Sequence, residues 1–209
     1  MAVPATSGAA ATPPPEGFAM ACTALRAWVD GDHTAVLLTE VEAPARVAPF
    51  GIALAAELSD DDPELEPPAS GRFVVLHDPA GQPGWGGDTR VVIFARADLE
   101  PDLARDPLLA EVAWSWVSEA LAAHGAGHHA GGGTVTVTAS RRFGVLADGS
   151  APSGEPAESC EVELRCSWTP STGSDNALTA HLAAFCDLLA TTAGRPPESP
   201  GVVTLRPRS

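Results

Sequence analysis

The 209-residue chain contains no lysine and no tyrosine; all twelve of its basic residues are arginine, set against 27 aspartates and glutamates for a formal net charge of −15. Without lysine there is no P-loop lysine, no Schiff base to a pyridoxal cofactor and no kinase-type ATP lysine. The shortage of positive charge also argues against nucleic acid, whose backbone is bound by neutralising phosphates with Lys and Arg. No apolar run approaches the ~20 residues that a membrane-spanning helix needs. Residues 1–15 hold neither a basic residue nor an apolar stretch, so no secretory signal is expected. His-Glu-x-x-His, Cys-x-x-Cys and Gly-x-Ser-x-Gly are absent as well, which removes the zincin, thioredoxin-like and α/β-hydrolase signatures. Four cysteines remain, Cys22, Cys160, Cys166 and Cys186. In a chain with no export signal they are expected to be reduced, buried and unpaired, and the compartment reads as cytoplasm.

What is present is alanine, 38 residues of it, and a regular alternation of hydrophobic patterns. Residues 1–15 are low in complexity, end in Pro13-Pro14-Pro15 and read as a disordered tail. Residues 16–194 read as one domain and 195–209 as a C-terminal tail. Phe18, Cys22, Leu25 and Val29 share a helical stripe with Trp28 at its edge. Residues 35–41 make a short extended piece, and Phe50, Ile52, Leu54, Ala56 and Leu58 alternate as in a half-buried strand. Residues 73–76 and 91–94 are apolar on both parities and read as central strands joined by a long Gly/Pro turn.

Asp106-Pro107 looks like an N-cap followed by proline in the first turn, opening a helix that runs to about His124. A Gly/His loop and a strand over 134–143 follow. The clearest strand comes next: Cys160, Val162, Leu164, Cys166 and Trp168 fall on one side, Glu161, Glu163, Arg165 and Ser167 on the other. A last helix carries Leu178, Leu182, Phe185 and Leu189 inward and stops at Gly194. The expected class is α+β: an antiparallel sheet of five or six strands with three helices, in the order α-β-β-β(-β)-α-β-β-α.

Four stretches together resemble one family. They are Leu76-His77-Asp78-Pro79-Ala80-Gly81, Asp106-Pro107-Leu108-Leu109-Ala110-Glu111-Val112-Ala113-Trp114-Ser115-Trp116, Cys166-Ser167-Trp168-Thr169-Pro170 and His181-Leu182-Ala183-Ala184-Phe185-Cys186-Asp187-Leu188-Leu189. The chain is similar, from about residue 47 to 205, to the actinobacterial domain of unknown function 3000. Phe185 stands where that family usually has Trp, a conservative change in an apolar seam. The resemblance implies no catalytic residue. It does imply a neighbourhood of RNA processing, because genes of the family often adjoin one for a ribonuclease-D-like exonuclease, and hence an accessory protein partner. The topology also resembles type III secretion chaperones and YbjN-like domains, which bind protein segments.

Chemistry is sparse. His124, His128 and His129 lie in a glycine-rich stretch whose mobility would suit no metal site, and Asp60-Asp61-Asp62 lacks the EF-hand spacing, so no metal and no cofactor is expected. Gly125-x-Gly127-x-x-Ala130 matches the dinucleotide fingerprint only as a string, since it follows a helix and precedes a strand. His77-Asp78, ending a buried strand beside Trp85, is the nearest thing to an acid–base pair, although Asp before Pro more often orders a turn. The sheet arginines Arg90, Arg96 and Arg165 would make an anion site if they converged on it. Trp114, at the edge of its helix's apolar arc, is either a packing residue or a partner anchor.

The sequence therefore favours a non-enzymatic protein-interaction or accessory module, acting through an uncovered sheet face and a helix edge, with homodimerisation as the nearest rival. The alternative is an enzyme near His77/Asp78 and the sheet arginines acting on an anionic small molecule. With a charge of −15, the purified chain should show no RNA binding at physiological salt. Fluorescence anisotropy with labelled single-stranded RNA checks this; micromolar binding that weakens steeply with added salt would contradict it.

Overall fold

A computed structural model describes residues 13–31, 35–59, 66–143, 158–171 and 177–195. The elements follow in the order α1 (Glu16–Val29), β1 (Val36–Val41), β2 (Phe50–Leu58), β3 (Ala69–His77), β4 (Thr89–Leu99), α2 (Pro101–Ala104), α3 (Leu109–Ala123), β5 (His128–Arg141), β6 (Glu158–Pro170) and α4 (Ala177–Thr192). All six strands form one antiparallel sheet in the spatial order β1-β2-β3-β4-β6-β5. The α+β class and the element order agree with the sequence expectation; the structure adds the one-turn helix α2. No helix among the described residues is long and apolar enough to cross a membrane.

The layering follows from strand parity, since successive side chains point to opposite faces of a sheet. In β6, Cys160, Val162, Leu164, Cys166 and Trp168 are buried. Val91, Ile93, Ala95 and Ala97 of β4 and Phe73 and Val75 of β3 continue the same face. Against it lie Phe18, Cys22 and Leu25 of α1, Ala113, Val117 and Leu121 of α3, and Leu182, Phe185, Leu188 and Leu189 of α4. Helix α4 holds the middle, touching β2, β3, β4 and β6 as well as α1 and α3. Gly71 makes that seat possible: a Cβ there would stand 2.4 Å from the Phe94 carbonyl oxygen and 3.0 Å from the Phe185 ring. Strands β3 and β4 are central, as their apolar character on both parities suggests. Their outward residues Val74, Val92 and Phe94 are nevertheless only half-buried, because the helical layer covers the other face.

Two local expectations are corrected. The regular helix does not start at Pro107: Asp106 Oδ1 accepts the Leu108 N–H at 2.8 Å and its carbonyl the Leu109 N–H at 3.1 Å, folding a turn ahead of it. The carboxylate is thus spent on a turn, and α3 begins at Leu109. The stretch expected as a Gly/His loop is the first half of β5, which pairs with β6 from His128 to Arg141 across a bulge between His129 and Gly132. Ala130 occupies the left-handed region there at φ 49°. The glycines serve a purpose in the strand. A Cβ on Gly133 would lie 2.9 Å from the Trp114 ring and 2.5 Å from the Arg165 carbonyl oxygen, so the ring covers backbone where side chains would collide. Residues 1–12 and 196–209 of the two expected tails, and Asp60-Asp61-Asp62, lie outside the described residues.

All four cysteines are buried free thiols, and burial pushes Cys166 up to about 11. The buried polar link between α4 and the sheet is His181, 1% exposed, whose Nδ1 accepts the Trp168 indole N–H at 3.1 Å. Because an indole only donates, that nitrogen must be unprotonated. Burial, with His128 nearby, pushes His181 down to about 4 against the raising effect of its hydrogen bond to the Gly127 backbone. The unfolded chain takes up a proton near the ordinary value of 6.5 while the folded chain resists until about 4. Stability therefore falls as pH drops through that window, by roughly 2 kcal/mol between pH 7.5 and 5 from this group. Urea unfolding at the two pH values should show that loss, and His181→Gln should lose less stability between them than the parent; equal losses in the two proteins would contradict the assignment.

Candidate functional site

The strand pairing that places His77 opposite Thr89 builds one end of the sheet into a cleft. His77 closes β3 on the helix-covered parity and is 8% exposed. Its ring stacks on Phe18 of α1, with centroids 4.9 Å apart and planes 10° apart, and Phe50 lies tilted at 6.4 Å. Nδ1 lies 2.9 Å from Thr89 Oγ1, whose hydroxyl also donates to Asp88 Oδ1 at 2.9 Å. A hydroxyl has one hydrogen, so towards His77 it accepts: the chain runs His77 Nδ1–H to Thr89 Oγ1–H to Asp88. In the neutral ring Nε2 is left as an acceptor, and it has no hydrogen-bond partner among the described residues. The cleft beside it, about 580 Å³, is walled by Pro15, Phe18, Ala21, Pro79, Pro170 and Leu178.

Asp78 is adjacent in sequence but turns away. Its Oδ1 accepts the Ala80 N–H at 3.0 Å and its Oδ2 the Gln82 side-chain amide at 3.1 Å, while Gln82 also donates to the Val47 carbonyl at 2.8 Å. Trp85 is half-buried in the same loop, where its carbonyl accepts the Thr169 hydroxyl. Gly81, Gly84 and Gly86 of that loop take positive φ values of 71°, 85° and 73°. Arg90 clamps the end of the sheet from the outward face. Its guanidinium donates to the Ala130 carbonyl at 2.8 Å, the Ser167 carbonyl and hydroxyl at 3.2 and 2.8 Å, and Thr169 Oγ1 at 3.2 Å. Burial lowers its pKa from the ordinary arginine value.

Arg96 and Arg165 stand on the outward face as well, away from His77. Arg96 pairs with Glu161, and Arg165 pairs with Glu163 at 2.6 Å while lying over the Phe94 ring at 5.3 Å from its centroid. The structure thus does not bring the arginines together with His77 and Asp78. Trp114, 38% exposed, lies against Gly133 of β5 near His128 and His129. The histidines expected in a mobile loop are held apart by separate partners. His124 pairs with Asp187 at 2.6 Å, His128 Nδ1 with the Ala126 carbonyl at 3.2 Å, and His129 Nε2 with the Gly86 carbonyl at 3.3 Å. No cluster of three or more His, Cys, Asp or Glu side chains able to hold a metal occurs among the described residues.

A family model described as "Protein of unknown function (DUF3000)" matches residues 14–203, from the start of α1 past the end of α4. The chain belongs to the DUF3000 family. No curated protein and no solved structure matches it. In this DUF3000 chain, sequence reasoning singled out His77 but missed Thr89 and Asp88, which reach it only through the β3–β4 pairing. It also missed His181, whose signal was a histidine among the apolar positions of an otherwise inward-facing helix.

Proposed function

We propose that this DUF3000 chain is a non-enzymatic protein-interaction module that pairs strand to strand through β5, with a second copy of the chain as its partner. One observation carries this: residues 130–140 of an edge strand contain no charge and no proline. They are exposed apart from the half-buried Val135 and Val137, and from Gly132 to Arg141 the strand is free of bulges. Edge strands are ordinarily blunted by charge, proline or shortness. The other edge, β1, obeys this: it is six residues long and carries Glu40. β5 does not.

The residues offered for chemistry are engaged structurally, Asp78 in its turn, Arg90 in its clamp, Arg96 and Arg165 in ion pairs. The self-complementarity of β5 favours a twin. An antiparallel pairing centred on Thr136 sets Thr134 against Thr138 and Val135 against Val137, so both chains keep threonines outward and valines towards the helices. Each copy bears −15 charges, yet the edge itself holds no carboxylate. Salt should therefore strengthen the dimer by screening the copies from each other.

Sedimentation velocity over a concentration series tests the proposal. The parent should dimerise more tightly at about 0.5 M salt than at about 0.05 M, and Thr136→Lys with Thr138→Lys should leave a folded monomer. A parent that stays monomeric throughout, or a dimer untouched by the two lysines, would overturn it.

A further inference from the structure

The His77 cleft lies at the His129 end of β5, beyond the uncharged stretch, and answers to different chemistry. We infer that it is a binding site for a small neutral molecule with a ring-sized apolar body and one O–H or N–H group. The volume of about 580 Å³ falls in the range of ligand sites. Rigid apolar walls, Pro15, Phe18, Pro79, Pro170 and Leu178, enclose it. At its base is a histidine, 8% exposed, with one nitrogen committed to Thr89 and the other without a partner. Among the described residues no sealed side-chain nitrogen or oxygen lacks a hydrogen bond, so Nε2 reaches open space, and the open space that His77 lines is this cleft.

The His77–Thr89–Asp88 chain fixes what that nitrogen asks for. With Nδ1 donating, Nε2 accepts, and the complement is a donating head group. Charge is disfavoured in both signs. Among the described lining residues Asp88 is the one carboxylate and repels anions, which turns the site away from the anionic substrate considered from sequence. Leu178 belongs to the first turn of α4, which carries no acidic residue, and lines the cleft, so the positive end of that helix opposes a cation. A neutral donor on an apolar ring satisfies the nitrogen and the walls together.

The test uses the full chain with ring-labelled histidine, followed by NMR during titration with four probes that share a ring: phenol, toluene, benzoate and benzylammonium. Phenol should shift the His77 ring signals saturably and bind more tightly than the other three. Phenol binding should weaken about tenfold in His77→Phe, as expected for one lost hydrogen bond. Thr89→Val, which keeps the imidazole but removes the group that fixes its tautomer, should weaken binding without emptying the cleft. The inference fails if phenol produces no saturable shift at His77. It fails equally if toluene or either ion binds as well as phenol, or if both folded variants bind phenol like the parent.

Discussion

Everything in this fold depends on one face of the sheet being covered and the other not. The covered face is closed by α4, which lies across β2, β3, β4 and β6 because Gly71 gives up a side chain for Phe185. Burying Leu182, Phe185, Leu188 and Leu189 there contributes on the order of 1.5–3 kcal/mol per side chain. Trp168 and His181 add a polar bond inside the same seam, and it is satisfied only with the imidazole unprotonated. Helices α1 and α3 flank α4 and complete the layer. Arg26 of α1 reaches Glu40 of β1 through two bonds of 2.7 Å, an exposed pair worth at most about 1 kcal/mol, so it orients more than it stabilises.

The uncovered face is kept in water by charge. Arg96–Glu161 and Arg165–Glu163 lie beside Phe94 on that face, and the Arg165 guanidinium lies over its ring. A face guarded in this way is a poor docking surface, which is why the proposed interaction is assigned to the β5 edge and not to the face, where the sequence suggested it. Gly133 of β5 lets Trp114 of α3 lie against the strand without a side chain between them. The His77 cleft is built at the His129 end of that strand, with the long β3–β4 turn and the start of α1 closing over the last residues of the strands.

Most of the architecture was legible because it rests on periodicity. The alternation from Cys160 to Trp168 and the stripe from Phe18 to Leu25 each follow from burial on one face, and the faces are where they point. What was illegible rests on contacts between distant segments. A run such as Gly131-Gly132-Gly133 reads as a mobile loop until it is seen to belong to a strand paired with β6, with Trp114, from another element, against Gly133. Asp106 reads as the residue before the helix until α3 is seen to begin at Leu109, with the Asp106 carboxylate holding the turn ahead of it. In the site, His77 was visible at a strand end, but Asp78 beside it proved a turn residue and the true partner, Thr89, lies twelve residues on. Arg90 looked like one more sheet arginine, and only the convergence of β4, β5 and β6 makes it a clamp.

The central claim, that β5 is an edge waiting for a strand, is tested most directly by hydrogen exchange of its backbone amides as a function of protein concentration. In an antiparallel edge, alternate amides bond inward to β6 and the rest face outward. The account predicts that the outward-facing amides between Gly132 and Arg141 exchange freely in dilute protein and become protected as concentration rises, while β4 and β6 stay protected throughout. Outward amides that exchange equally fast at every concentration, up to that at which the chain remains soluble, would contradict it.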